Sequence, residues 1–248
     1  MTFRAADERA HPAGGDGWWE AWQLDVAGSD GTGVAVQLAC APALGVAWWW
    51  THLLLPDRTG PVVVRDHEVP LPRVGLEVRA DGLWGELVCE TAFEHWTYGL
   101  EAFGVALDHP ADSRRGEIGE RVPVGFDLEW EIDPGGGELR DCDDSWPGYE
   151  QFGAVHGEVL LGRARVEIDA FGRRAHRWGV PQWDRAARCT WLGERGGGAR
   201  VGTNVPIMPF GSFVVPLTTP DGGAAELTRA LVRGAAGEIG WSTTYTPE

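Results

Sequence analysis

The sequence predicts an all-β protein made of two antiparallel β-barrels or sandwiches packed together. Thirty-six glycines and 16 prolines interrupt its 248 residues too often for long helices. Between those breaks, apolar and polar residues alternate with a period of two, the pattern of half-buried antiparallel strands. No stretches suited to crossover helices separate the alternating runs, which removes the parallel α/β alternative.

The first such run is EAWQLDV, with Trp22, Leu24 and Val26 on one face, followed by the turn SDGTG. VAVQLAC, GVAWWWTHLLL, VVVRDHEV, LEVRA, LWGELVCE and WTYGLEAFGVAL follow, and VGFDLEWEI closes the series. In that last run Phe126, Leu128, Trp130 and Ile132 oppose Asp127, Glu129 and Glu131, an alternation typical of antiparallel sheets. DPGGGELRDCDDSWP then breaks all periodicity, which predicts a first domain over 15–133, a linker over 134–147 and a second domain over 148–248. The second series runs YEQFGAVHGEVLL, ARVEIDA, HRWGV, ARCTWLGE, ARVGTNV, SFVVPL, ELTRALVR and EIGWSTTY. ELTRALVR reads as a strand or as a helical segment, since Leu227, Ala230 and Leu231 also fall at helical spacing.

Composition excludes several function classes. A net charge of −16 repels phosphate backbones and anionic membrane surfaces, so nucleic acid is not an expected partner. All 21 basic residues are Arg, which rules out a lysine Schiff base or P-loop lysine. The four cysteines lie far apart in sequence, without C-x-x-C spacing, and read as reduced, buried thiols. The N-terminal stretch MTFRAADERAHPAGGDG has no apolar segment, so the expectation is a cytoplasmic protein without membrane insertion. The seven histidines show no paired ligand spacing and no phosphate loop is present, so neither metal nor nucleotide cofactor is expected. Gly31-x-Gly33 lacks the third glycine of a dinucleotide fingerprint, and Pro70 breaks the helix that His67-Glu68 would need in a zincin.

Three clusters combine histidine, acid and tryptophan. In RDHEVPLP, Asp66 and Glu68 share one strand face and Arg65 and His67 the other; the alternative is a solvated strand end. In CETAFEHWTY, Glu94, His95 and Trp96 put a carboxylate beside an aromatic wall, where its raised pKa suits a general acid. The alternative there is a corner whose acids face water. In FGRRAHRWGVPQWDR, an extended H-R-W segment sends His176 and Trp178 to one face and Arg177 to the other, with Trp183 and Asp184 at the rim. A satisfied core histidine is the competing reading of His176. The unusually high tryptophan content, 14 against 8 Phe and 3 Tyr, points to a Trp-lined cavity, to which Trp50 in the W-W-W run belongs.

Tyr149–Val159, Ile168–Val180 and Cys89–Leu107 together resemble, in kind and in order, segments of the carotenoid 1,2-hydratase and AttH-like group of lipocalin-like proteins, with H-x-W-G at His176–Gly179 as the core of the match. The residue before the motif histidine, often Asp in that group, is Ala175 here. The resemblance implies two lipocalin-like β domains around a hydrophobic small molecule: an isoprenoid, polyene or steroid-like compound. It also implies cofactor-independent hydration, isomerisation or cyclisation, with His176, Glu94 and Asp184 as catalytic residues and Trp178, His95, Trp96, Trp50 and Trp183 contacting substrate. A non-catalytic binder or carrier is the competing expectation, and a homodimer is compatible with either.

Overall fold

A computed structural model describes residues 2–115, 118–134, 139–142, 146–203, 205–220 and 222–248. Its strands in chain order are β1 (Trp19–Ala27), β2 (Gly33–Ala41), β3 (Val46–Leu54), β4 (Val62–Pro70), β5 (Leu76–Ala80), β6 (Leu83–Thr91), β7 (His95–Leu107), β8 (Gly119–Ile132), β9 (Arg140–Asp141), β10 (Gly148–Leu161), β11 (Ala164–Gly179), β12 (Ala187–Glu194), β13 (Gly198–Gly202), β14 (Met208–Thr218), β15 (Ala224–Arg233) and β16 (Ile239–Pro247). Two 3-10 turns, Ala5–Glu8 and Pro110–Arg115, are the helical segments among the described residues. The all-β expectation holds.

Strands β1, β2, β3, β4, β7, β8, β10 and β11 pair in that order, and β11 returns to β1 from Trp19–Gly179 to Ala27–Phe171. The ring closes where Val62 meets Ala106 and Val63 meets Val105. This is an eight-stranded antiparallel barrel of lipocalin type, closed by a short β4–β7 contact. Beyond that short β4–β7 contact β7 pairs instead with β6, so the β5–β6 hairpin flanks the barrel wall.

A separate five-stranded antiparallel sheet, β13-β12-β16-β15-β14, covers one side of the barrel. The covering sheet explains a contrast in burial. On β8, which faces solvent outside, Phe126, Leu128 and Trp130 are buried while Asp127, Glu129 and Glu131 are exposed. On β1, β2 and β3 both faces are buried. Their inward side chains, among them Trp22, Leu24, Val36, Leu38 and Trp49, fill the lumen. Their outward ones, including Trp19, Ala21, Ala35, Ala39, Trp48 and Trp50, pack against Trp191, Phe213, Leu231 and Trp241 of the sheet. Small residues permit the close approach: a Cβ on Gly33 would meet the Trp241 ring at 2.7 Å. Trp241 in turn donates its indole N–H to the Val26 carbonyl at 2.8 Å.

The sheets divide elsewhere than at the expected 134–147 linker, of which residues 135–138 and 143–145 lie outside the described residues. β8 and β10, on either side of it, pair from Ile132–Gly153 to Val124–Leu161, so the barrel continues through residue 179. The change of sheet falls between Gly179 and Ala187. Composition alone does not tell a linker between domains from a connection between two strands of one barrel; the β8–β10 pairing does. The ELTRALVR run is strand β15, held on both edges by β14 and β16, so pairing overrides its helical spacing. No helix among the described residues is long and apolar enough to cross a membrane.

Candidate functional site

The alternation of β11 distributes its side chains between two very different surroundings. Arg174, His176 and Trp178 point into one end of the barrel, while Arg173 and Arg177 point outward to the five-stranded sheet. The expected face-sharing of His176 and Trp178 is present, with Arg177 opposite.

On the inner side, the N-terminal segment enters the barrel end. The Glu8 carboxylate accepts hydrogen bonds from Arg174 at 2.6 and 3.0 Å, from the Tyr149 hydroxyl at 2.5 Å and from the Phe93 N–H at 2.6 Å. Phe93 adopts φ 64°, a left-handed conformation that a non-glycine residue takes only under constraint. Glu8 and Arg174 are almost fully buried, and the guanidinium lies over Trp130 at 4.9 Å. Next to this pair, Glu20 bonds His176 Nε2 at 2.8 Å and His11 Nδ1 at 2.7 Å. His176 is 0% exposed and stacked on Trp22, and His11 stacks on Trp178 at 4.1 Å. Burial lowers the His176 pKa, against the opposing effect of Glu20, so the imidazole is neutral.

The ligating atoms of His11, Glu20 and His176 all lie within 4.8 Å, a set that a metal ion could use. Both imidazoles, however, sit at direct hydrogen-bond distance from the same Glu20 oxygen. Ligands about 2.0–2.2 Å from one zinc ion in tetrahedral array stand farther apart than that. His95, Glu129 and Glu131 form a second such set on the outer barrel wall, where both acids are exposed.

On the outer side lies a cleft of about 180 Å³ between barrel and sheet. Six tryptophans line it: Trp19, Trp48, Trp50, Trp146, Trp183 and Trp191. Trp19 meets Trp48 edge-on at 4.6 Å, Trp48 stacks toward Trp50 at 5.8 Å, and Trp183 stands edge-on to Trp19 at 5.6 Å. The β11–β12 connection supplies Pro181, Gln182, Trp183 and Arg185, and Tyr245 ties it down by donating its hydroxyl to the Trp183 carbonyl at 2.7 Å.

Beneath the aromatic surface, Asp25 of β1 receives Arg229 of the sheet at 2.5 Å and Arg173 of the barrel at 3.3 Å, while Arg173 also meets Glu150 at 2.6 Å. All four side chains are buried. Burial alone would raise the Asp25 pKa; the guanidiniums of Arg229 and Arg173 outweigh it and hold the carboxyl below its ordinary value. The network therefore bolts the sheet to the barrel at the floor of the cleft. Behind Trp48 and Trp50, His67 accepts the Trp50 indole N–H on Nε2 at 2.6 Å and stacks on Trp48 at 4.5 Å. A register shift in the β3–β4 pairing, between Ala47 and Trp49, accompanies this placement. Burial, aided by Arg65 and opposed by Asp66, lowers the His67 pKa to about 4.

The eight residues singled out in the sequence do not converge. Trp50 and Trp183 line the cleft. His176 and Trp178 are inside the barrel end, and Trp96 is in the barrel core under Arg174. Glu94 and Asp184 are exposed and outside the cleft lining, and His95 stands on the outer wall 3.6 Å from Glu129. The expected pocket of His176, Glu94 and Asp184 is thus not formed as one site. Arg173, Arg229, Trp19 and Trp48 of the cleft were not singled out in the sequence; the tryptophan run of GVAWWWTHLLL could have signalled Trp48, and no local pattern marks the other three.

The fold and cleft define a lipocalin-like barrel whose outer wall forms a tryptophan-lined cleft with a second β-sheet. The chain belongs to the family described as domain of unknown function DUF7064, whose model matches residues 4–197. No curated protein matches it. Among solved structures it is similar to CghA in complex with Sch210972, with 10% identity, a TM-score of 0.51, 94% of this chain and 88% of that chain covered. It is also similar to a protein of Nitrosomonas europaea described as a candidate AttH, with 10% identity, a TM-score of 0.48, 92% of this chain and 91% of that chain covered. At such identity the likeness to CghA is one of fold, and it agrees with the lipocalin-like architecture expected from the sequence.

Proposed function

We propose that the cleft binds an apolar small molecule, a polyene, isoprenoid or steroid-like compound, and orients it for cofactor-independent intramolecular bond reorganisation. The observation that carries this reading is the wall of six tryptophans at the junction of barrel and sheet. Flat indole faces bury large apolar area at little conformational cost and stabilise developing positive charge. That a protein of this fold, CghA, has a structure with the compound Sch210972 is in keeping with it.

Among the described residues the lining contains no carboxylate and no imidazole. Hydration requires a proton donor, whereas folding a polyene for ring closure requires orientation and hydrogen-bond donors that polarise an oxygen substituent. Cyclisation is therefore the chemistry this lining supports best. A carrier is the second reading, favoured by the same absence of an acid or base.

The test is to titrate polyenes, isoprenoids and steroids against intrinsic tryptophan fluorescence and melting temperature, then recover the ligand for mass and ring analysis. Binding should quench fluorescence and raise the melting temperature by mass action. An isomer of unchanged mass with a new ring supports cyclisation, and unaltered ligand supports the carrier. If no class of apolar ligand changes either signal, the cleft is not a binding site.

A further inference from the structure

Three residues of the lining carry a buried N–H without a partner, Nε of Arg229 and the indole nitrogens of Trp146 and Trp191, as do Arg174, Trp22 and Trp96 in the barrel interior. All three are donors. A buried donor left unpaired costs free energy that a bound acceptor would recover. The fixed charges point the same way. The chain as a whole is −16, yet the lining holds four guanidiniums, of Arg173, Arg177, Arg185 and Arg229. Asp25 and Glu150 neutralise Arg173 and Arg229 from behind and are not part of the surface. Arg185 is exposed at the rim, held by Gln182 at 3.4 Å.

We propose that the ligand of this cleft is an apolar organic acid, one whose hydrocarbon body lies on the tryptophans and whose anionic oxygen, carboxylate or enolate, meets the Arg and indole N–H groups. The inference rests on the binding function proposed above and adds its chemical class. Unpaired donors select an acceptor, the guanidiniums select negative charge on it, and a charge-assisted hydrogen bond is about twice as strong as a neutral one. Neutral hydrocarbons would leave all three donors unpaired, which discriminates against them.

The experiment uses matched pairs that differ only in head group: retinoic acid and retinol, palmitic acid and hexadecanol, and a steroid carboxylic acid with its alcohol. Dissociation constants are measured on the full chain by tryptophan quenching at neutral pH and low salt. For any body that binds, the acid is expected to bind at least about tenfold tighter, and the preference to shrink as salt is added. Trp146→Phe keeps a ring and removes the N–H, and Arg185→Gln removes a rim charge without touching the core. Each should weaken the acid about three- to tenfold and the alcohol distinctly less, because a hydroxyl oxygen accepts only a neutral-strength hydrogen bond. Equal affinities, or a tighter alcohol, overturn the acid assignment while leaving the binding function standing. A preference for acids that survives both substitutions also overturns it, because the anion would then be held elsewhere. If no member of any pair binds, the binding function itself fails.

Discussion

The barrel end and the outer cleft are built of the same materials, tryptophan, arginine and buried carboxylate, yet the chain's own N-terminal segment occupies the first, while the second is an open cleft. In the barrel end the N-terminal segment brings its own Glu8 and His11, which pair with the Arg174 head group, Tyr149, the Phe93 N–H and Glu20, although Nε of Arg174, Nδ1 of His176 and the indole nitrogens of Trp22 and Trp96 have no partner there either. In the cleft, Asp25 and Glu150 pair with Arg173 and Asp25 pairs with Arg229, while Nε of Arg229 and the indole nitrogens of Trp146 and Trp191 have no partner. A dense cluster of aromatic and charged residues is therefore not in itself a site. Unpaired donors occur in both regions; what distinguishes the cleft is open space bounded by guanidiniums and indoles, where the barrel end is filled by the chain's own N-terminal segment.

The largest effect that would break this contrast is at Glu8. Glu8→Ala leaves the Arg174 guanidinium buried without its counter-ion, and loss of one partner of a buried pair costs about 3–5 kcal/mol. Urea denaturation should show that loss, with ligand affinity in the cleft unchanged as long as the protein remains folded. Loss of binding in the folded variant would show that the two regions are one site.

Acid comes next. His52, His67 and His176 all have pKa values lowered first of all by burial. Each is neutral when folded, so the unfolded chain takes up protons first, as pH falls through about 6.5. Stability is complete above that point and declines toward lower pH; the His67 share stops growing near its folded value of about 4. Denaturation midpoints between about pH 7 and pH 4 should fall steadily, and His67→Gln, which keeps an acceptor for Trp50, should flatten part of the slope. A flat profile would mean these rings are protonated in the fold.

A sharper comparison comes from His176→Ala and Trp183→Ala. The former removes a buried partner of Glu20 and should cost about 2 kcal/mol while sparing the cleft. The latter, at a half-buried rim position, should weaken ligand binding about tenfold with little change in melting temperature. The reverse pattern would place the site in the barrel end. The smallest effects belong to Glu94→Gln and Asp184→Asn, both exposed, which should stay within about 0.5 kcal/mol and leave binding intact. A large loss of turnover from either would restore it as a candidate acid.

Legibility in the sequence followed the range of the interaction. The alternation on β8 announced its strand and its buried face, because a strand's period is local and solvent lies on the other side. On β11 the same rule separated His176 and Trp178 from Arg177, but both faces are covered, one by the lumen and one by the sheet, so alternation could not say which meets a cleft. Glu8 and His11 lie in a charged N-terminal stretch without an apolar segment; their placement depends on Arg174 and Trp178, far along the chain.

By itself the sequence determined an antiparallel all-β chain with many short strands, the sharing of faces within each strand, and an aromatic surface made chiefly of tryptophan. These are consequences of nearest-neighbour geometry and composition, which need no knowledge of what packs against what. The tertiary structure alone decided that residues 148–179 complete the barrel, that the N-terminal segment stops its end, and that Arg229 crosses from the sheet to Asp25 under a tryptophan-lined cleft. Those outcomes depend on contacts between distant segments, whose free energies exist only once the chain has closed on itself.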